Sequence, residues 1–493
     1  CKKNTTEDKG EVYGFNFIYS GSFLNEIEVD QNNTVRIQSG LGQENFSYTV
    51  EPGEIFTSPE AIMTYSKHGF GEMSRNMHKF IREHISPPEV FPCRPVVINT
   101  WEASFFDIDE EKLLEFAKLA PEYGIDMLVV DDGWFGERNH DHAGLGDWYV
   151  NKKKFPTGLA TFITKVKAYG IRFGIWIEPE MVNPDSDLYR KHPEWCLQCP
   201  NRESTLSRNQ YVLDMANPAV RQYLKDTFSK TFDGCEIDYF KWDMNRHLTD
   251  LYSHVLPANR QGEIAHRYVL GLYDLLERLT RAFPDVLFEG CSGGGGRFGA
   301  GMLAYHPQIW GSDNTDPIAR LKIQEGTSFG YPVPTMGSHV SASPNHQTGR
   351  QIPLGTRAVV AMAGTFGYEL NLGQLTNPER EEVRRQIKTF RSYEQLIRQG
   401  NYFRLSSPFE NALVAWEFVS KDQREVLMSA VAQEIHGYMV TPYVKFRGLM
   451  SGKLYQDQET GKIYPADALM DMGIPVPPAR EEYAAVQMHL KMI

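Results

Sequence analysis

Eight short apolar runs, nearly every one carrying a polar closure and most separated by a stretch of helical period, constrain this chain more than any other feature. The runs are PVVINTW (95 to 101), IDMLVVDDGW (125 to 134), IRFGIWIEPE (171 to 180) and EIDYFKWD (236 to 243), then VLFEGC (286 to 291), QIWGSD (308 to 313), PVPTMGSH (332 to 339) and AGTFGYEL (363 to 370). Amphipathic helical patterns fall at 109 to 120, 158 to 169, 217 to 230, 263 to 282, 317 to 326 and 378 to 398. Strands buried on both faces read as nearly continuous apolar runs, as 127 to 130 and 173 to 177 do. Strand alternating with helix in this way predicts an α/β chain closed into a (β/α)8 TIM barrel.

The flanks read differently. Residues 11 to about 70 are aromatic-rich and alternating, with turn signals at Tyr19-Ser20-Gly21, Asn32-Asn33 and Pro52-Gly53, which predicts antiparallel strands of an incomplete β-sandwich. Prolines cluster between Pro87 and Pro95 and mark a boundary. After 405 the alternation returns in FENALVAWEFVS, EVLMSAV and MVTPYVKFRGL, predicting a small C-terminal β-sandwich. The expected domains are therefore 1–90, 91–404 and 405–493.

Composition narrows the function classes. With 51 Lys+Arg against 63 Asp+Glu the net charge is −12. No dense cationic run is available to hold nucleic acid or an anionic membrane surface. No run approaches the roughly 18 apolar residues that span a bilayer, and CKKNTTEDKG lacks a signal-peptide core. Six cysteines, at 1, 93, 196, 199, 235 and 291, are too sparse for a disulfide framework, so a reducing, cytoplasmic setting is expected. The pair Cys196 and Cys199 has no partner pair at zinc-finger spacing, and His140 and His142 have no completing ligands, so neither metal nor cofactor is expected.

In a barrel of this kind the strand C-termini and the loops after them form the active face. Here they carry Trp101-Glu102, Asp131-Asp132, Trp176 to Glu180, Lys241-Trp242-Asp243, Glu289-Gly290-Cys291 and Ser312-Asp313. Carboxylates beside indoles suit a sugar, whose hydroxyls need acceptors while its C–H faces pack on aromatic rings. Glycoside hydrolysis needs two carboxyl groups, one ionised and one protonated, and Asp243 and Asp313 are the expected pair. Lys241 favours the charged form of Asp243, and Asp316 has two readings: repulsion that holds a proton on Asp313 and, favoured by its place before Pro317, a helix cap. The run from Cys291 to Gly296 lacks the Gly-Lys-Ser/Thr ending of a phosphate loop, and its glycines read as a close backbone approach to the ligand.

WEASFFD, VVDDGWFG, GIWIEPEMVNPDSDLY, DYFKWDMNR, EGCSGGGGRFG and WGSDNTD, in this order, resemble the α-galactosidases of glycoside hydrolase family 36, over roughly residues 11 to 493. The resemblance implies a retaining mechanism with Asp243 as nucleophile and Asp313 as acid/base. It implies galactose-binding roles for Trp101, Asp131, Asp132, Trp176, Arg208, Lys241, Trp242, Asn245, Cys291 and Gly294. Trp101 and Trp176 have core packing, and Arg208 a solvated loop position, as alternative readings. The implied substrates are melibiose, raffinose-type oligosaccharides and related α-galactosides, with no cofactor. The resemblance further implies a homo-oligomer, a tetramer in many relatives, and strands before the barrel that correspond to the last ones of a larger N-terminal β-supersandwich. A galactosyl transglycosylase akin to raffinose or stachyose synthase, and an inert galactose-binding homologue, remain as alternatives.

Overall fold

The computed structural model describes residues 1–437, 440–476 and 482–493. Met439, the first residue of the last C-terminal run, lies outside them.

All eight runs form the strands of one closed parallel barrel: Val97–Asn99, Met127–Val130, Arg172–Ile177, Tyr239–Trp242, Leu287–Gly290, Gln308–Trp310, Met336–Ser341 and Thr365–Glu369. Each strand pairs with the next in sequence, and the eighth closes on the first through Gly367 opposite Val97 and Tyr368 opposite Ile98. The predicted helices surround it as Glu110–Tyr123, Leu159–Lys167, Pro218–Thr231, Ile264–Ala282, Pro317–Ser328 and Asn377–Gln399. Local chemistry sets their ends. Asp109 accepts the Lys112 amide at the start of the first, and Gly124, at φ +86, ends it in the left-handed conformation that a Cβ disfavours. Thr376 and Glu379 close a capping box before the last. The helix Leu354–Ala361, behind a long loop after the seventh strand, is too short to announce itself by period.

Strand alternation organises the barrel interior. Val97, Met127, Val129, Tyr239 and Leu287 form an apolar plug within it. One inward position further toward the strand C-termini stand Asn99, Asp131, Lys241 and Glu289, all buried. Lys241 lies in register with Trp176 on one side and Glu289 on the other. Apolar residues thus seal the floor, and polar ones gather above it.

Before the barrel, Val12–Phe17 pairs with Ala61–Ser66, and Phe23–Val29 with Val35–Leu41, as two separate antiparallel ribbons. The C-terminal part is a six-stranded antiparallel sheet built on Leu413–Val419, Glu425–Ala432 and Ala485–Met492. The ribbon of Tyr443–Val444 and Ile474–Pro475 and the helix Ala466–Asp471 bury Val444, Phe446, Leu469 and Val476 against one face of that sheet. No described helix is long and apolar enough to cross a membrane.

Candidate active site

A cavity of about 270 Å³ opens at the C-terminal face of the barrel. Trp101, Asp131, Asp132, Trp176, Arg208, Lys241, Asp243, Asn245, Cys291 and Asp313 all line it. Ten of the twelve expected site residues, contributed by six strands and the loops after them, thus share one concave surface.

Asp243 follows the fourth strand and is 6% exposed. Four N–H groups converge on its carboxylate. Trp176 Nε1 at 3.1 Å and Asn245 Nδ2 at 2.8 Å donate to Oδ2, and the Met244 and Gly293 amides at 2.8 and 3.4 Å donate to Oδ1. This is the donor complement an ionised carboxylate takes, and it fixes the orientation of the group. Trp176 is therefore both a packing residue, 2% exposed, and a direct partner of Asp243. Arg208, from the loop after the third strand, donates to Asn245 Oδ1 at 2.8 Å.

Asp313 follows the sixth strand and lines the cavity, exposed by surface area. Desolvation by the surrounding protein first, and then the Asp243 charge, raise its pKa above the ordinary aspartate value. Of the two readings of Asp316, the favoured helix cap holds and repulsion of Asp313 does not. Asp316 turns away, caps the helix Pro317–Ser328 through the Ile318 and Ala319 amides, and binds Thr348 and Arg350 at 2.6 and 2.5 Å. The like charge that acts on Asp313 comes across the cavity from Asp243.

Asp131 and Lys241 form a buried ion pair at 2.7 Å. Burial opposes both charges, but the contact with Asp131 holds the Lys241 pKa well above its ordinary value. Asn99 and the Asp132 amide also donate to Asp131, so three of its roughly four acceptor sites are filled. Asp132 takes the fork of Arg138, whose Nε and Nη2 lie 2.8 to 3.1 Å from its oxygens. Each carboxylate is held rigid and keeps acceptor capacity for a ligand hydroxyl. Lys241→Met is expected to destabilise the fold by about 3–5 kcal/mol, because Asp131 is left as an unpaired buried charge. Thermal unfolding measures this, and the double variant Lys241→Met with Asp131→Asn should recover most of the loss.

Two expected site residues lie elsewhere. Trp242 is not a wall of the cavity: alternation that turns Lys241 inward turns Trp242 outward, where it is fully buried and donates to Glu180 Oε1 at 3.0 Å. Gly294 does not line it either. At φ +87, its absent side chain leaves room for the neighbouring loop, since a Cβ would fall 2.7 Å from the Asp313 amide nitrogen. Cys291 does border the cavity, and its burial, then the Asp243 charge, push the thiol well above its normal pKa.

The cavity also holds residues that strand-end reasoning passed over, among them Arg138, Trp310, Thr315, His346 and Glu369. Glu369 closes the eighth run by the same polar-ending rule, whereas Arg138 and His346 sit deep in loops with no periodic signal. Among the described residues no group of three or more His, Cys, Asp or Glu is placed to hold a metal ion. His140 and His142 stay in an exposed loop, and all six cysteines are free.

Fold and site together define a (β/α)8 barrel protein whose C-terminal face gathers carboxyl groups and indoles around one small cavity. The chain belongs to glycosyl hydrolase family 36. The Melibiase family matches residues 55–400, the family 36 C-terminal domain residues 413–490, and the family 36 N-terminal domain residues 1–51. Among curated relatives, the bifunctional alpha-galactosidase/sucrose kinase AgaSK of Mediterraneibacter gnavus is 50% identical over 99% of this chain and 51% of its own length. The alpha-galactosidase AgaA of Geobacillus stearothermophilus is 46% identical over all of this chain and 67% of its own. The chain thus spans about half of the first relative and about two thirds of the second. The crystal structure of AgaA superposes with a TM-score of 0.98 at 46% identity, covering 100% of this chain and 68% of that one.

Proposed function

We propose that the chain is an exo-acting, retaining α-galactosidase that releases terminal α-D-galactosyl residues from melibiose and raffinose-type oligosaccharides. The observation that carries this reading is the convergence of Asp243 and Asp313 on one cavity with opposite protonation requirements. Asp243 attacks the anomeric carbon as the glycosidic C–O bond breaks, and Asp313 gives its proton to the leaving oxygen. Asp313 then takes a proton from water, the water oxygen bonds to the anomeric carbon, and the Asp243 ester is released with the original configuration restored. Asp131 and Asp132 accept the 4- and 6-hydroxyls, so an epimer lacking the axial 4-hydroxyl leaves buried acceptors unpaired.

The relatives support the substrate class. Variants of the Geobacillus enzyme were crystallised in complex with raffinose and with stachyose. A cavity near the lower end of the roughly 300–1,000 Å³ range of small-molecule sites suits one sugar ring, hence removal of terminal residues. A cytoplasmic setting, supported by the free cysteines, and a homo-oligomeric assembly belong to the same reading.

Hydrolysis of melibiose followed by NMR should show α-galactose as the first product, with the β anomer appearing later by mutarotation. Initial β-galactose would overturn the retaining mechanism. Accumulation of a galactosylated acceptor when sucrose is supplied would assign a transglycosylase, and galactose binding without cleavage would assign an inert homologue.

A further inference from the structure

The turn that carries Asp313 is fastened from outside the sixth strand. Gln347 Nε2 donates to the Asp313 carbonyl at 2.8 Å, Ser341 Oγ to the Thr315 carbonyl at 3.2 Å, and Asn345 Nδ2 to Thr315 Oγ1 at 3.0 Å. The Thr315 hydroxyl in turn donates to Oε1 of Glu102 at 2.8 Å, a residue 213 positions earlier in the short helix Trp101–Ser104 after the first barrel strand. We propose that Glu102 is a positioning residue for Asp313, acting through Thr315 to hold the acid/base turn against the cavity. The inference rests on the reaction proposed above.

Two observations make this more than a surface hydrogen bond. The Glu102 side chain is only 4% exposed, and its second oxygen, Oε2, is buried with no hydrogen-bond partner. With Oε2 unpartnered, the Thr315 hydroxyl on Oε1 is the hydrogen bond that ties this carboxyl group to the acid/base turn. Burial and then the charge of Glu369, on the eighth strand, raise its pKa, while the Thr315 hydrogen bond and the Arg320 and Lys241 charges act against that rise. His346, from the loop after the seventh strand, approaches at 3.5 Å. Glu102 Oε1 therefore holds the turn as the acceptor of the Thr315 hydroxyl.

A role through Asp313 has a signature that a packing role lacks. Melibiose has a poorly departing sugar alkoxide and needs full proton transfer, whereas α-galactosyl fluoride departs with little acid help. Glu102→Ala should lower kcat/KM on melibiose about 30- to 100-fold, the scale of a small misplacement of a catalytic group, and on the fluoride by less than about threefold. Glu102→Gln, neutral and still an acceptor, should restore melibiose cleavage to within about threefold of the wild type. Thr315→Val removes the same hydrogen bond from the other end and should reproduce the Ala pattern, which keeps the test decisive if Glu102→Ala fails to fold. Equal losses on both substrates, or a Gln variant as impaired as the Ala variant, would overturn the assignment. If the wild-type chain cleaves neither substrate, the α-galactosidase reading itself falls, a result distinct from either of these.

Discussion

Asp243→Ala is expected to lose roughly 10⁴- to 10⁶-fold in kcat/KM on a nitrophenyl α-galactoside, the scale seen when a covalent nucleophile is removed. The four donors that hold the carboxylate would then surround a space beside the anomeric carbon. A small anion such as azide should enter that space and attack the activated substrate from the same side. The product expected is β-galactosyl azide, identified by NMR, because one displacement inverts the centre. Thermal unfolding should be little lowered, since the variant removes a charge rather than stranding one. Activity above about one hundredth of wild type, without azide, would remove Asp243 from the nucleophile role.

Asp313→Ala should behave differently, losing about 10²- to 10⁴-fold on melibiose, the range of general acid catalysis, and far less on α-galactosyl fluoride. Azide should here yield the α anomer, by intercepting the glycosyl ester on Asp243. The pH profile gives a second signature. Asp313 must carry its proton in the first step, and burial and the Asp243 charge raise its pKa, so kcat/KM should fall as pH rises through that raised value. In Asp313→Ala that basic limb should vanish. In Asp243→Asn the like charge is gone, so the Asp313 carboxyl, followed by NMR, should titrate lower than in the wild type. An unchanged basic limb in Asp313→Ala would assign the acid/base role to another group.

Much of this site was legible because a barrel strand obeys a period of two. Once a run is recognised as a strand buried on both faces, its polar ending falls at the rim that faces ligands, as it does for Asp131, Lys241, Asp243 and Cys291. The same period, applied strictly, would have placed Trp242 outside the cavity. Reading its motif as a unit set it inside. Asp316 shows the other kind of limit. Its position before Pro317 is a helix-start signal, and the structure keeps that role, while the neighbour that acts on Asp313 lies 70 residues away in sequence. Gly294 fell between the two: its positive φ and missing side chain admit the close approach of the Asp313 backbone.

What the sequence determined by itself is the alternation of strand and helix, the polar closure of most strands and the supply of carboxylates, because these depend on local periodicity and residue chemistry alone. What only the tertiary structure decided is which of those groups touch. Barrel closure brings Asp131 to Lys241, Trp176 to Asp243 and Glu102 to Thr315 across 110, 67 and 213 positions of chain. Charge, desolvation and hydrogen bonding act over a few ångströms of space, and no distance along the sequence predicts them.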